Sequence, residues 1–379
     1  MIRKIFIVTE RRADFSRFKP ILKLIKKSKK LKYILVVTGN HLLKEYGFSI
    51  NEIKREEIKI SDSFPMFLKS KKDDGSVMVH GLGVALQKLS QILKKYEPDI
   101  ILSGFDIGAN LAVTIAGAHM NIPVAHIQGG EVSGTIDESI RHAMSKFAHY
   151  HFTANSDSKK RLIKMGEKKK NIYSVGCPSI DALLDEKLCS NEYINKKFKI
   201  DLNKKFLIII QHPVTSEVNS GDQITNTLKA VKKINMDKLI IYPNNDAGSK
   251  KIIKVIKNSN FKIARTLNLQ EYKTLLSKAA LLIGNSSSGI HEAATFKIPV
   301  INIGTRQSGR LKPLNVISTT YKADNISKAI DYALNNKIFI KKMKFLKNPY
   351  GDGKTAKRIV NLLSKIEIDN SIIQKKITY

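Results

Sequence analysis

Short β-branched runs alternate along this chain with longer amphipathic stretches, the pattern of βα units built around parallel sheets. In the first half, the strand candidates are residues 4–9, 33–38, 100–103, 124–128 and 151–154. Residues 15–29 and 79–96 carry apolar side chains at i, i+3/i+4 and i+7, which predicts helices. After a lysine-rich stretch at 185–205 the pattern restarts, with apolar runs at 206–211, 239–242, 281–283 and 299–303. The restart predicts a second α/β domain. The expected division is 1–187 as an N-terminal α/β domain, 188–355 as a C-terminal one, and 356–379 as a closing helix and tail.

Sheets of this kind bind ligands beyond the carboxyl ends of their strands, where loops present backbone N–H groups and helix starts. The chemically interesting residues fall at such places. Arg12-Ala13-Asp14, Asp106, Gly129-Gly130-Glu131, His212 and the run from Asn285 to Gly289 each follow an apolar stretch.

A chain of 379 residues, 42% hydrophobic, can bury two domain cores of roughly 150 to 200 residues each. No apolar run approaches the roughly 18 to 20 residues of a membrane span, and the amino terminus leads straight into a strand-like run. A cytoplasmic protein with no membrane partner is expected. Cys177 and Cys189 stand alone, so neither a disulfide nor a zinc site is expected. The 66 basic against 33 acidic residues give a formal +33, which raises the question of nucleic acid. Only 11 of the 66 are Arg, however, and the lysines are spread over the whole chain, so no nucleic-acid partner is expected. A small polyanion such as a nucleoside diphosphate gains from such a field by steering.

Several stretches carry candidate chemistry. In Ile283-Gly284-Asn285-Ser286-Ser287-Ser288-Gly289-Ile290-His291-Glu292 a strand gives way to a helix. Small hydroxyl residues there can close on a phosphate, with Glu292 on the first turn placed to accept ribose hydroxyls. The same string would also serve as a plain serine cap. Arg306 and Arg310 leave the next strand in a chain where arginine is scarce, which suits a bidentate anion contact or a pair of surface side chains. Arg12 and Ser16 form a similar loop near the amino terminus. His212 ends a strand before Pro213 and fits a ligand contact or a turn cap. The densest stretch runs from His126, Gln128 and Glu131 through Asp137 and Arg141 to His149. Its carboxylates, guanidinium and imidazoles suit proton transfer and leaving-group stabilisation. Asp137 and Arg141, one helical turn apart, would equally make a surface ion pair.

Ordered strings then identify a family. RADFS at 12–16, the segment from Gly129-Gly130-Glu131 to His151, GCPSIDALL at 176–184, QHPVTSE at 211–217, YPNNDAGS at 242–249, IGNSSSGIHE at 283–292, INIGTRQSGR at 301–310 and YGDG at 350–353 all contribute. Together they resemble the hydrolysing UDP-N-acetylglucosamine 2-epimerases of sialic and legionaminic acid biosynthesis. The resemblance covers almost the whole chain. It implies two Rossmann-like domains in a GT-B-like architecture with a central cleft, a nucleotide-sugar substrate, no metal or cofactor, and a homo-oligomer. Carried over by position, it implies that Arg12, Ser16, His212, Ser286, Ser287, Glu292 and Arg306 hold UDP. Asp106, Asp137 and Arg141 are then at the sugar, with His126 and His149 close by.

Two positions depart from the family pattern. Its usual HGDR is here Ser103-Gly104-Phe105-Asp106-Ile107, without the flanking His and Arg, and its HIEGGE is here His126-Ile127-Gln128-Gly129-Gly130-Glu131. A glutamine at 128 cannot transfer a proton, which turns attention to Asp106, Asp137 and Glu131. The expected reaction turns UDP-GlcNAc and water into UDP and N-acetylmannosamine. Alternatives are a UDP- or GDP-linked 2,4-diacetamido-2,4,6-trideoxyglucose as substrate, a non-hydrolysing epimerase, a GT-B glycosyltransferase, or a UDP-sugar-binding protein with impaired catalysis.

Overall fold

The computed structural model describes residues 2–44, 47–67, 75–105, 108–134, 136–214, 217, 220–243 and 248–378. Its contacts divide the chain into two compact units. The first comprises Met1–Glu131, Ile136–Ala182 and Gly353–Tyr379, and the second Val132–Thr135 and Leu183–Asp352.

The first unit holds a sheet of seven strands, β1 (Arg3–Thr9), β2 (Leu31–Val37), β3 (Asp62–Ser63), β4 (Ile100–Gly104), β5 (Val124–Ile127), β6 (Tyr150–Thr153) and β7 (Ile172–Ser174). Their order is β3-β2-β1-β4-β5-β6-β7, and every pairing is parallel. The second unit repeats the plan with β8 (Phe206–Ile210), β9 (Asp237–Ile241), β10 (Lys262–Ala264), β11 (Leu281–Gly284), β12 (Val300–Ile303) and β13 (Val316–Thr319), in the order β10-β9-β8-β11-β12-β13 and again parallel throughout.

Both faces of each sheet are covered, so the central strands are almost continuously apolar. Alternate side chains serve opposite cores. Ile5, Ile7, Leu35, Ile100 and Leu102 pack on one face of the first sheet, and Phe6, Val8, Val36, Ile101 and Val124 on the other. Leu207, Ile209, Leu281, Ile283 and Ile301 oppose Phe206, Ile208, Leu239, Leu282 and Val300 in the second. The four strands absent from the sequence reading, β3, β7, β10 and β13, are the four sheet edges. Each is short and largely half-buried or exposed, so no apolar run marks it.

The strand order reverses between β1 and β4 and again between β8 and β11. These switch points open a crevice at the carboxyl edge of a doubly wound sheet, because the loops on either side turn away to opposite faces. The chain's last segment returns to the first unit, where Ala356, Ile359 and Leu363 of the helix Thr355–Leu363 join the core beside the helix Arg12–Lys26.

The start of that returning helix is capped from a distance. Buried Asp181 accepts hydrogen bonds from the backbone N–H groups of Thr355 (3.1 Å) and Ala356 (2.8 Å). Replacing Asp181 by Ala should therefore cost about 1 to 2 kcal/mol of stability, the usual loss on deleting a cap. Urea titration of the variant measures it, and an unshifted midpoint would show that the cap contributes nothing.

Candidate functional site

In the first unit the chain leaves β1 through a loop fixed by Asp14. Its carboxylate accepts the N–H groups of Glu10 (2.9 Å) and Arg11 (2.8 Å) and so starts the helix Arg12–Lys26. Arg12 faces outward and is half-exposed, held by Glu52 through Nε at 3.0 Å and Nη2 at 2.5 Å. Ser16, one turn along, donates its hydroxyl to the Ala13 carbonyl at 2.9 Å. Glu10, passed over in the sequence, is buried and accepts the N–H of Ala109 at 2.9 Å, at the start of the helix Gly108–His119 that follows β4. Burial pushes its carboxyl upward from the ordinary range. Asp106, between β4 and that helix, lies outside the described residues.

Two non-glycine residues at strand exits adopt left-handed backbone, Phe105 after β4 (φ 68°) and Gln128 after β5 (φ 60°). Such conformations cost of order 1 kcal/mol or more and persist where surroundings over-determine them. The surroundings here are dense. Phe105 packs against Phe18 at 4.9 Å with the Arg17 guanidinium 5.1 Å from its ring centre. Gln128 is buried; its backbone N–H donates to Phe152 O at 2.9 Å, and its amide nitrogen to Cys177 Sγ at 3.3 Å and, at a long 3.5 Å, to Glu131 Oε2. Its amide oxygen faces Arg17 Nη1, also at 3.5 Å. Burial pushes the Cys177 thiol up to about 12, so it is a neutral neighbour of the amide.

Glu131 is buried too, and its carbonyl accepts Arg141 Nη1 at 3.0 Å. Arg141 lies one turn along the helix Asp137–Phe147 from half-buried Asp137 and is itself only 4% exposed, so it does not belong to a solvated face. His126, fully buried, contacts Ser145 Oγ of the same helix through Nδ1 at 3.1 Å, and burial holds its imidazole neutral. The structure thus brings Gln128, Glu131, His126 and Arg141 together.

His149 is not brought there. It sits at the opposite, amino-terminal end of β5, where its backbone N–H donates to Val124 O at 2.8 Å and its Nδ1 accepts Val124 N–H at 3.0 Å. There it ties the base of the sheet, at the end away from the strand exits that carry Gln128 and Glu131.

In the second unit the organiser is Asn285, which directly follows β11. Its side chain clasps the backbone of His212, accepting His212 N–H at 2.7 Å and donating to His212 O at 2.9 Å, so the exits of β8 and β11 are locked together at the switch point. Its carbonyl accepts Gln307 Nε2 at 2.8 Å and Arg306 Nη1 at 3.3 Å, which brings in the exit of β12. Arg310 steadies Gln307 at 2.9 Å. Gly284 precedes this hub at φ +132°, and a Cβ there would stand 1.9 Å from Ile210 O, so only glycine permits the approach of the two strands.

Ser286 Oγ and Ser288 Oγ share a hydrogen bond at 3.1 Å, and Ser287 precedes the helix Ser288–His291. That helix is a single turn. Glu292 therefore ends it rather than lying within its first turn, and joins it to the 3-10 turn Ala293–Phe296. A macrodipole of any size needs more aligned peptides than this, so the turn by itself offers an anion little attraction.

Gln307, Glu10, Arg17 and Cys177 were not singled out in the sequence, nor was the organising role of Asn285. Asn285 stood in plain view within a serine-rich string. Arg17 and Cys177 meet Gln128 from 111 and 49 positions away, and no local pattern announces that. Among the described residues no group of His, Cys, Asp and Glu is placed to hold a metal ion, and no helix is long and apolar enough to cross a membrane.

Comparison with known proteins gives one consistent answer. A family model described as UDP-N-acetylglucosamine 2-epimerase matches residues 23–364. A Legionella pneumophila protein named UDP-N,N'-diacetylbacillosamine 2-epimerase (hydrolyzing) is 38% identical over 380 residues, covering 99% of each chain. A Neisseria meningitidis UDP-N-acetylglucosamine 2-epimerase is 34% identical over 88% of each. Among solved structures, the Neisseria meningitidis UDP-GlcNAc 2-epimerase bound to UDP-GlcNAc superposes with a TM-score of 0.81 at 20% identity, covering 95% of this chain and 99% of that one. The fold is accordingly α/β with two Rossmann-like parallel sheets, of the GT-B-like class.

The position of His149 generates a pH dependence. Burial, with Lys375 nearby, brings its imidazole down to about 4. The unfolded chain then binds a proton near the ordinary value of about 6.5 that the folded chain refuses, so stability is full above that pH and is lost as pH falls toward 4. Between pH 7 and 5 the loss from this residue is about 2 kcal/mol. Urea unfolding of His149→Gln at both pH values should show a fall smaller by that amount, and an identical fall would show that His149 does not contribute.

Proposed function

Because the chain belongs to the UDP-N-acetylglucosamine 2-epimerase family, we propose that it is a hydrolysing member, taking UDP-GlcNAc and water to UDP and free N-acetylmannosamine. The observation that supports hydrolysis is the end-to-end match to a relative named as hydrolyzing, and the choice of UDP-GlcNAc rests on the family model and the Neisseria relative named for that sugar. Chemistry at the two sets of strand exits is consistent with it.

The C2 proton of such a sugar has no carbonyl beside it, so cleavage of the C1–O bond leads. In this reading Arg306, His212, Ser286 and Ser287 stabilise the departing diphosphate, Glu292 accepts the ribose hydroxyls, and Arg12 and Ser16 complete the hold on UDP. Donors fixed before reaction stabilise developing charge without reorganising, which supplies several kcal/mol. Asn285 is what fixes Arg306 and the His212 backbone.

As UDP leaves with the bonding pair, positive charge at C1 acidifies C2–H. A carboxylate, Asp106 or Asp137, takes that proton and a 2-acetamidoglycal forms. Water then adds its oxygen to C1 while a proton returns to C2 from the other face. Gln128 cannot carry a proton, so it orients, and Glu131 beside it is a third carboxylate available for the return. Arg141, anchored on the Glu131 carbonyl, compensates negative charge.

A second substrate, UDP-linked 2,4-diacetamido-2,4,6-trideoxyglucose, is favoured by one specific observation. The Legionella relative with that name matches at 38% over 99% of the chain, against 34% over 88% for the Neisseria enzyme named for UDP-GlcNAc. Both nucleotide sugars are therefore to be offered side by side.

The reaction is tested by NMR of the products. In heavy water the released sugar carries deuterium at C2, and in oxygen-18 water the label sits at C1. Product that stays UDP-linked, or sugar released without exchange at C2, overturns the hydrolysing reading. Arg306→Ala should weaken UDP binding by about 1.5 to 3 kcal/mol, the worth of a charge-assisted hydrogen bond, whereas Asp137→Asn should lower kcat by about 10² or more and leave UDP affinity alone. Calorimetry with UDP and steady-state rates separate the two, and the reverse pattern would exchange their roles.

A further inference from the structure

The helix Asp137–Phe147 carries Asp137 and Arg141 at its beginning, and its far end is held by a side chain that the reaction does not use. The last carbonyls of any α-helix lack intrahelical partners. Here those of Ser145 and Lys146 are taken by Lys375, whose ammonium stands 2.7 Å and 2.9 Å from them. Its third contact is Glu167 Oε2 at 2.6 Å. An ammonium has three donors, and the three acceptors match them.

Glu167 is 1% exposed and gathers the surrounding elements. His151 Nε2 of β6 reaches it at 3.0 Å, and Lys146 Nζ at 3.0 Å. Burial alone would raise its carboxyl, yet the hydrogen bonds from His151 and Lys375 outweigh this and bring it to about 2. The chain on either side of Lys375 is tied as well. Thr378 bonds the Gly166 carbonyl through its N–H and its hydroxyl, both at 3.1 Å, and Tyr150 OH donates to Glu367 O.

From this end the path to the site is short. Ser145, whose carbonyl Lys375 caps, places its hydroxyl 3.1 Å from His126 Nδ1 and 3.0 Å from Arg141 O. A Cβ on Gly129 would stand 2.9 Å from His126 Nδ1 and 3.0 Å from Ser145 Oγ, so the helix and the loop that starts at Gln128 are in close register. Arg141 completes the link at Glu131 O.

We infer that the carboxyl-terminal segment is a strap and that Lys375, by capping the helix Asp137–Phe147 and pairing with Glu167, is a positioning residue that sets Asp137 and Arg141 for the chemistry at the sugar. The role of those two residues rests on the function proposed above. The anchoring itself does not.

Lys375→Met keeps the length of the side chain and removes the charge, while Lys146 and His151 still satisfy Glu167, so the fold survives. Misplacement of catalytic groups by about 1 Å costs up to about a hundredfold. The expected result is a kcat lower by that factor in Lys375→Met, KM and UDP affinity within about twofold of wild type, and most of the rate restored in Lys375→Arg, which retains a cation at the helix end. Hydrogen exchange should quicken at the amides of residues 137–148 and nowhere in the second unit. Wild-type kcat in Lys375→Met overturns the inference, as does a parallel loss of UDP affinity and kcat, which marks a general loss of fold. Should the wild-type protein epimerise neither sugar, the functional reading fails by itself. The exchange experiment then still decides the strap, which unchanged protection of 137–148 would overturn.

Discussion

Where a parallel strand ends, the backbone groups beyond the last ladder bond have no automatic partners, and in a buried crevice they must find some. Much of this molecule is organised by how that requirement is met. At the β11 exit a single asparagine meets it for two loops at once: Asn285 clasps the His212 backbone with both halves of its amide and offers its own carbonyl to Arg306 and Gln307. At the β1 exit Asp14 does so for Glu10 and Arg11, and Glu10 in turn for Ala109. Each satisfied group fixes a loop, and each fixed loop presents a polar side chain in one place. The geometry of a site is a by-product of paying this debt.

The same requirement explains the tension around Gln128. Its left-handed backbone lets the chain turn sharply out of β5 while its N–H still reaches Phe152 O, which extends the β5–β6 ladder by one bond. The side chain is then directed inward among Arg17, Cys177 and Glu131. An amide suits that position because it donates and accepts at once, whereas a carboxylate could only accept from these neighbours. The amide at 128 and the thiol and arginine around it are parts of one local solution.

Electrostatics in the first unit is graded by depth. Buried imidazoles at 126, 149 and 151 are kept neutral by desolvation, which at 149 and 151 outweighs the Glu167 carboxylate. Charge survives in the interior only where hydrogen bonds surround it, as at Glu167 with its lysines. Lysines at the surface pair with carboxylates, as Lys95 does with Asp62 at 2.9 Å and Lys262 with Asp237 at 2.7 Å.

The sequence alone determined the α/β class and the two repeated sheets, because burial on both faces writes central strands as uninterrupted apolar runs. It placed Arg306, His212 and Gln128 at or just beyond strand ends, as the structure has them, and its ordered strings pointed to the family. It did not reveal the four edge strands, whose one open side removes the apolar signal. Nor did it show that Arg141 is buried or that His149 lies against the amino-terminal end of β5, since both depend on how distant elements pack. Tertiary structure alone decided the hub at Asn285, the approach of Arg17 and Cys177 to Gln128, and the strap at Lys375, which reaches Ser145 across 230 positions of chain. Periodicity records how much of each residue meets the core. Which distant partner it meets is decided by the packing of whole elements, and no local pattern carries that information.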